Sequence, residues 1–190
     1  MKMMQSTYLN NQFLIAMPGL ADPNFFHTVT YLCQHNQDGA LGIVINRPTG
    51  MKLGDIFEQM GIKTELENIQ AMPVFAGGPV QQERGFVIHS PCEQHWDSSI
   101  STADNITLTS SRDVLEAIAQ GKGPSNFLIA LGYAGWGSGQ LEKEIVENAW
   151  LNTPCFEPIL YETPINKRWN AAAGQIGIDI NRLTTAAGHG

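Results

Sequence analysis

Between Leu131 and Glu144 the chain reads LGYAGWGSGQLEKE, four glycines and a tryptophan set between an apolar run and a helical pattern. Glycine adopts positive φ and allows close backbone approach. Alternate glycines at 135, 137 and 139 around Trp136 therefore predict a tight, shaped loop at a strand-to-helix junction. Such a junction gathers backbone N–H groups that suit an anion. Yet the run lacks the lysine of GxxxxGK[ST], and its spacing is not the GxGxxG of a dinucleotide fold. Glu142 and Glu144, in the first helical turn, satisfy the helix dipole and repel phosphate. These residues favour packing around Trp136 over phosphate binding.

Histidine and cysteine offer two further chemistries. His89, Cys92 and His95 spell H-x2-C-x2-H, and Cys33-x-His35 would add donors for zinc, which takes four in a structural site. Pro91 interrupts the set and no paired C-x2-C accompanies it, so neither metal nor cofactor is expected. A nucleophilic Cys33 would need a histidine base nearby, and no G-x-S-x-G elbow is present. Cys33 on an alternating strand reads as a buried filler. His35 and His89 each end a strand and give the one hint of an acid-base pair. An enzyme of unknown substrate using His35, His89 and Cys33 is thus the alternative reading.

Polar residues beside turns form the remaining set: Thr28, Asn46, Arg47, Arg84 and Gln140, with Gly78 in a Gly-Gly-Pro turn. One reading is turn chemistry with solvated arginines. The other is convergence on one groove, walled by Trp136, that suits a peptide, an acidic partner or a small ligand. The candidate groove residues are Thr28, His35, Asn46, Arg47, Gly78, Arg84, His89, Trp136 and Gln140.

Elements must position these groups. Phe13 to Ala16 reads as a short strand, TVTYLCQH as an alternating one, and LGIVIN as its hairpin partner across Asn36 to Gly39. Pro48 to Gly50 closes that hairpin, and Leu53, Ile56, Phe57 and Met60 recur at helical spacing up to Gly61. VFAGGPV, GFVIH and ITLT predict three short strands, the last after a polar loop from Ser90 to Asp104. Ser110 and Asp113 resemble a capping box for a helix over 111–120. Phe127 to Leu131 reads as a buried strand feeding the glycine loop, followed by a helix with Leu141, Ile145 and Ala149 on one stripe. A loop around Cys155, a short strand from Ile159 to Tyr161 and a helix from Lys167 to Ala173 complete the chain. Hairpins mixed with separate helices favour α+β.

The 190 residues suit one domain spanning 1–190, and 43% hydrophobic with 15% charged residues is a globular composition. The net charge of −7, without a basic cluster, argues against direct nucleic-acid binding. Three dispersed cysteines favour a reducing compartment. One early lysine, Lys2, and a short apolar run ending at Pro18 fit neither signal peptide nor membrane span. These features read as a cytoplasmic protein.

Several blocks together resemble the AlgH/YqgE family of bacterial proteins: FLIAMPGLADPNFFHTVTYLCQHNQDGALGIVINRP, VFAGGPVQQERGFVIHS, LTSSRDVLEAIAQGKGP and LGYAGWGSGQLEKEIVENAWL, then IGIDINRL and Gly188-His189. The resemblance implies a single α+β domain around a small closed β-barrel with helices packed outside, in a cytoplasmic protein. Its typical positions here include His27 to Val29, Tyr31, Cys33, His35, Asn46, Pro48, Gly77 to Val80, Arg84 to Phe86, His89 and Gly132 to Glu142. It carries no catalytic residues, and its frequent label of transcriptional regulator names no mechanism. The leading expectation is a non-enzymatic binding or regulatory protein that acts through a protein partner or a small ligand.

Overall fold

The inner strands of this protein are buried on both faces, and different helices cover them. The computed structural model describes residues 8–103 and 105–183; Lys2, Asp104, Gly188 and His189, named above, lie outside them. The strands are β1 (Gln12–Ala16), β2 (Val29–Asn36), β3 (Gly39–Val44), β4 (Pro48–Lys52), β5 (Pro73–Ala76), β6 (Val80–His89), β7 (Ser99–Ala103), β8 (Ile106–Thr109), β9 (Phe127–Gly137) and β10 (Trp150–Pro154). The helices are α1 (Leu53–Met60), α2 (Glu67–Gln70), α3 (Arg112–Ala119), α4 (Gln140–Val146), α5 (Glu157–Tyr161) and α6 (Arg168–Gly174).

One sheet runs β10-β1-β2-β3-β9-β6-β8-β7, with β5 parallel to β9 and antiparallel to β4. The long β9 joins the halves, pairing β3 through Ala134 to Gly137 and β5 and β6 through its first half. It bends at Gly132, whose φ is 78°, opposite an irregularity in β6 between Val80 and Gly85. The sheet curls far enough for the Tyr31 hydroxyl on β2 to meet Thr102 Oγ1 on β7 at 2.7 Å. Asn105 likewise bonds Glu157 across the gap. No ladder joins β7 to β10 among the described residues, so the barrel-like core of this single α+β domain is a half-barrel.

Its concave face holds Phe13, Tyr31, Cys33, Ile43, Phe86, Ile88 and Leu128 together with Ile159 and Leu160 of α5 and Ala172 and Ala173 of α6. Those two helices thus fill the curl, where the resemblance placed helices outside. Arg168 anchors α6: its buried guanidinium donates to Ile45 O at 2.6 Å and Thr163 O at 2.9 Å and lies over the Phe75 ring. Burial pushes its pKa down to about 10, still charged at neutral pH. The convex face is divided. α1, α2 and α3 cover β5, β6 and β9 through Leu53, Phe57, Ile69, Val114 and Ile118. α4 covers the other half, where Leu141 packs with Leu14, Leu32, Trp136 and Trp150. Both indoles donate to Glu144 Oε1, Trp136 at 3.3 Å and Trp150 at 3.2 Å.

The hairpin of β2 and β3, α1, α3 and the last helix lie where the sequence predicts them. Several elements differ. The glycine run is strand, not loop: β9 continues to Gly137, and only Ser138 and Gly139 turn the chain into α4. Pro48 to Gly50 is not a hairpin closure but the start of β4, an exposed strand paired with β5. The polar loop after Ser90 contains β7, whose residues SISTA pair with β8. Ile159 to Tyr161 lies in α5, nucleated by Pro158 in its first turn where a missing N–H costs nothing, and the missing strand is β10, paired with β1.

Candidate functional site

The enzyme set does not assemble. Cys33 faces the concave core, and burial raises its thiol pKa well above the usual range. A register irregularity between Leu32 and Gln34 turns the following residues over, so His35, two positions on, points to the convex side. There its Nδ1 accepts from Leu9 N–H at 3.0 Å and its Nε2 donates to Glu142 of α4. His89 sits in the other half of the sheet, 1% exposed; its Nδ1–H donates to Ser90 O at 2.8 Å and its Nε2 accepts from Thr109 Oγ1 at 2.7 Å. Both histidines have their ring nitrogens engaged by the fold. His89, Cys92 and His95 do line one cavity of about 170 Å3, but no group of three His, Cys, Asp or Glu among the described residues is placed to hold a metal ion.

Burial also sets a pH dependence. Desolvation lowers the His89 pKa from 6.5 in the folded protein, so the unfolded chain binds this proton more readily. Stability then falls as pH drops below about 6.5, and this contribution is absent above it. His27 is shifted the same way. Urea midpoints measured between pH 7.5 and 5 should decline less steeply in His89→Gln than in wild type. Parallel curves would remove His89 from the account.

Most of the groove candidates serve the backbone. Thr28 Oγ1 donates to Phe25 O at 2.7 Å. Asn46 bridges strands, accepting from Val29 N–H and donating to His27 O, each at 2.9 Å. Gln140 Oε1 accepts from Gly137 N–H at 3.0 Å across the turn that leads into its helix. Arg84 is exposed, bonded to Ser110 Oγ at 3.2 Å and lying over Phe86. Trp136 is no groove wall: its ring is 6% exposed, packed against Phe25 and Trp150. Nor do Gly135 and Gly137 require glycine, since an added Cβ at either makes ordinary contacts. Room for the ring comes from Gly42 on β3, where a Cβ would approach Trp136 Cζ3 at 3.4 Å and Thr30 Cγ2 at 2.6 Å.

Arg47 and Gly78 do come together. They line a cavity of about 280 Å3 with Asn24, Thr49, Pro79 and Gln82. Arg47 Nη1 donates to Pro23 O at 2.7 Å and Asn24 O at 2.6 Å, and Nη2 to Phe26 O at 3.0 Å, which fixes the loop before β2. That loop ends at His27, a non-glycine residue with φ 55°, its ring stacked between Phe26 and Trp169.

A larger cleft, about 410 Å3, opens between α1 and the start of α3. Gly85 and Val87 of β6 and Ile129 and Leu131 of β9 form its floor; Met51, Ile56, Met60 and Leu115 wall it; Gln59, Glu83, Ser111 and Arg112 rim it. Alternation puts Gly85 on the face of Val87, and a Cβ there would meet nothing within 4 Å. One floor position of the cleft therefore has no side chain to occupy it. Glycine inside a strand often marks a close approach by a ligand or another backbone, and GFVIH carries that signal. The groove reading instead gathered polar residues beside turns together with Gly78 and Trp136, and so passed over Gly85, Met51, Met60 and Leu115.

A family model described as AlgH-like (DUF179) matches residues 13–181. A UPF0301 protein of Methylococcus capsulatus is 53% identical over 186 residues, covering 98% of each chain. One of Thioalkalivibrio sulfidiphilus is also 53% identical, over 98% of this chain and all of its own. The solution structure of the AlgH protein from Pseudomonas aeruginosa superposes with a TM-score of 0.79 at 46% identity over the full length of both chains. A crystal structure of a Corynebacterium diphtheriae protein shares the fold at 17% identity, with a TM-score of 0.73 over 93% of this chain and 92% of its own. With the match running nearly from end to end, this chain belongs to the AlgH-like family.

Proposed function

We propose that this is a non-enzymatic cytoplasmic binding protein that takes a small ligand in the α1/α3 cleft and passes the occupied state to a protein partner. The observation that carries this reading is the gap over Gly85: a well-packed domain leaves about 410 Å3 open on an apolar floor with a polar rim. The cleft's two methionines supply adaptable walls. Against the enzyme reading stand the separate, fully engaged positions of His35, His89 and Cys33. A regulatory role through DNA contact is disfavoured by the net charge of −7. Among the described residues no helix is long and apolar enough to cross a membrane, and three dispersed free cysteines suit the cytoplasm.

Gly85→Leu tests the cleft directly, because the new side chain enters open space. Folding should be retained, with stability unchanged or raised by about 0.5–1 kcal/mol through the loss of unfolded-chain freedom. Amide shifts that a metabolite mixture induces along α1 and α3 in wild type should disappear. Identical shifts in the variant would sink the proposal.

A further inference from the structure

The cavity beside Arg47 and Gly78 and the α1/α3 cleft are neighbours on one surface, and their chemistry differs end to end. Leu131 lines both. β4 passes from one to the other between Thr49 and Met51, and β6 does so between Gln82 and Gly85. The larger end is apolar. The smaller end carries one charged residue, Arg47, beside the neutral polar side chains of Asn24, Thr49 and Gln82. Among the described residues no carboxylate lines that smaller end or pairs with Arg47.

The hydrogen bonds of Arg47 decide what it can accept. A guanidinium has five N–H donors. Three are spent on the carbonyls of Pro23, Asn24 and Phe26, which leaves Nε–H and one Nη2–H. These bonds also hold the side chain in place, so its remaining donors are pre-positioned. A planar carboxylate matches a guanidinium edge through two parallel bonds. At the other end the rim of the apolar cleft carries Glu83 and Arg112, the latter paired with Glu116.

The geometry points to an amphipathic monocarboxylic acid as the ligand, its carboxylate on Arg47 and its hydrocarbon tail crossing Leu131 to lie over Gly85. This inference rests on the binding role proposed for the α1/α3 cleft and adds the chemical class. One anionic head and one apolar body are both required, because Arg112 on the rim of the apolar cleft is already paired with Glu116, whereas Arg47 in the smaller cavity has no carboxylate partner among the described residues.

Calorimetric titration with decanoate, 1-decanol, decylammonium and acetate, below their micellar concentrations, tests it. Decanoate should bind about tenfold or more tightly than decanol or decylammonium, the difference made by a charge-assisted pair of hydrogen bonds, and acetate should not register. Arg47→Gln should bring decanoate down to the affinity of decanol while decanol is unchanged, and Gly85→Leu should abolish both. Because Arg47 also holds the loop, a second reading uses the wild type alone: the preference for decanoate over decanol should shrink as salt rises. Equal binding of decanoate and decanol, a salt-independent preference, or no binding of decanoate at millimolar concentration would overturn the acid assignment and leave the cleft standing. Decanoate bound undiminished by Gly85→Leu would overturn the cleft itself.

Discussion

Replacing Trp136 with alanine should cost about 3–5 kcal/mol of stability, the range for truncating a large aromatic in a packed interior. The ring is 6% exposed and packs with Leu14, Leu32, Leu141 and Trp150 between the convex face of the sheet and α4. Its loss would leave a cavity bounded by β-strand backbone, which cannot collapse easily. It would also remove one of the two indole donors to Glu144. Chemical denaturation of the variant provides the measurement. A midpoint shift equivalent to less than about 0.5 kcal/mol, the usual range for surface changes, would mean that the ring is not core.

Gly78→Ala is expected to be comparably severe, at roughly 3 kcal/mol or more, because overpacking here meets backbone and not a flexible side chain. A Cβ on Gly78 would lie 2.1 Å from Tyr133 C, 2.2 Å from Tyr133 O and 2.3 Å from Ala134 N. Those atoms belong to β9, the strand that joins both halves of the sheet, so relief requires moving the centre of the fold. Gly85→Ala makes the control, since its Cβ enters open space. Thermal unfolding of the two variants should separate them clearly. Similar midpoints would show that the Gly77-Gly78 crossing can shift, and that Gly78 is retained for something other than close approach.

Period and punctuation were readable where they agree. Leu53, Ile56 and Phe57 lie on one helical face, Val114, Leu115 and Ile118 on another, and all are buried as their spacing implies. Asn36 to Gly39 closes the predicted hairpin. Where glycine or proline contradicted the period, tertiary pairing prevailed. Ala134 and Trp136 are buried while Gly135 and Gly137 are exposed, a period of two that the glycines disguised as a loop. Pro48 was readable as a turn because an edge strand tolerates proline, and β7 because SISTA shows water one side of nearly every residue. The site was less legible still. Arg47 and Gly78 meet as the sequence suggests, but His35 on β2 and His89 on β6 stand in different halves of the sheet, and the irregularity at Leu32 that turns His35 toward α4 is announced by no local pattern. The cleft depends on a missing side chain at Gly85 and on two helices far apart in the chain, relations that pairing across the sheet creates.

The carboxylate of Glu144 that holds both Trp136 and Trp150, rings 6.1 Å apart at 76°, has a spectroscopic meaning. Half of the four tryptophans sit in one chiral, close-coupled pair at the seam between α4 and the sheet. Their near-ultraviolet dichroism and emission therefore belong to that seam. Loosening of α4 disturbs both chromophores together, so the protein carries an intrinsic optical gauge of one particular joint, readable without any attached dye.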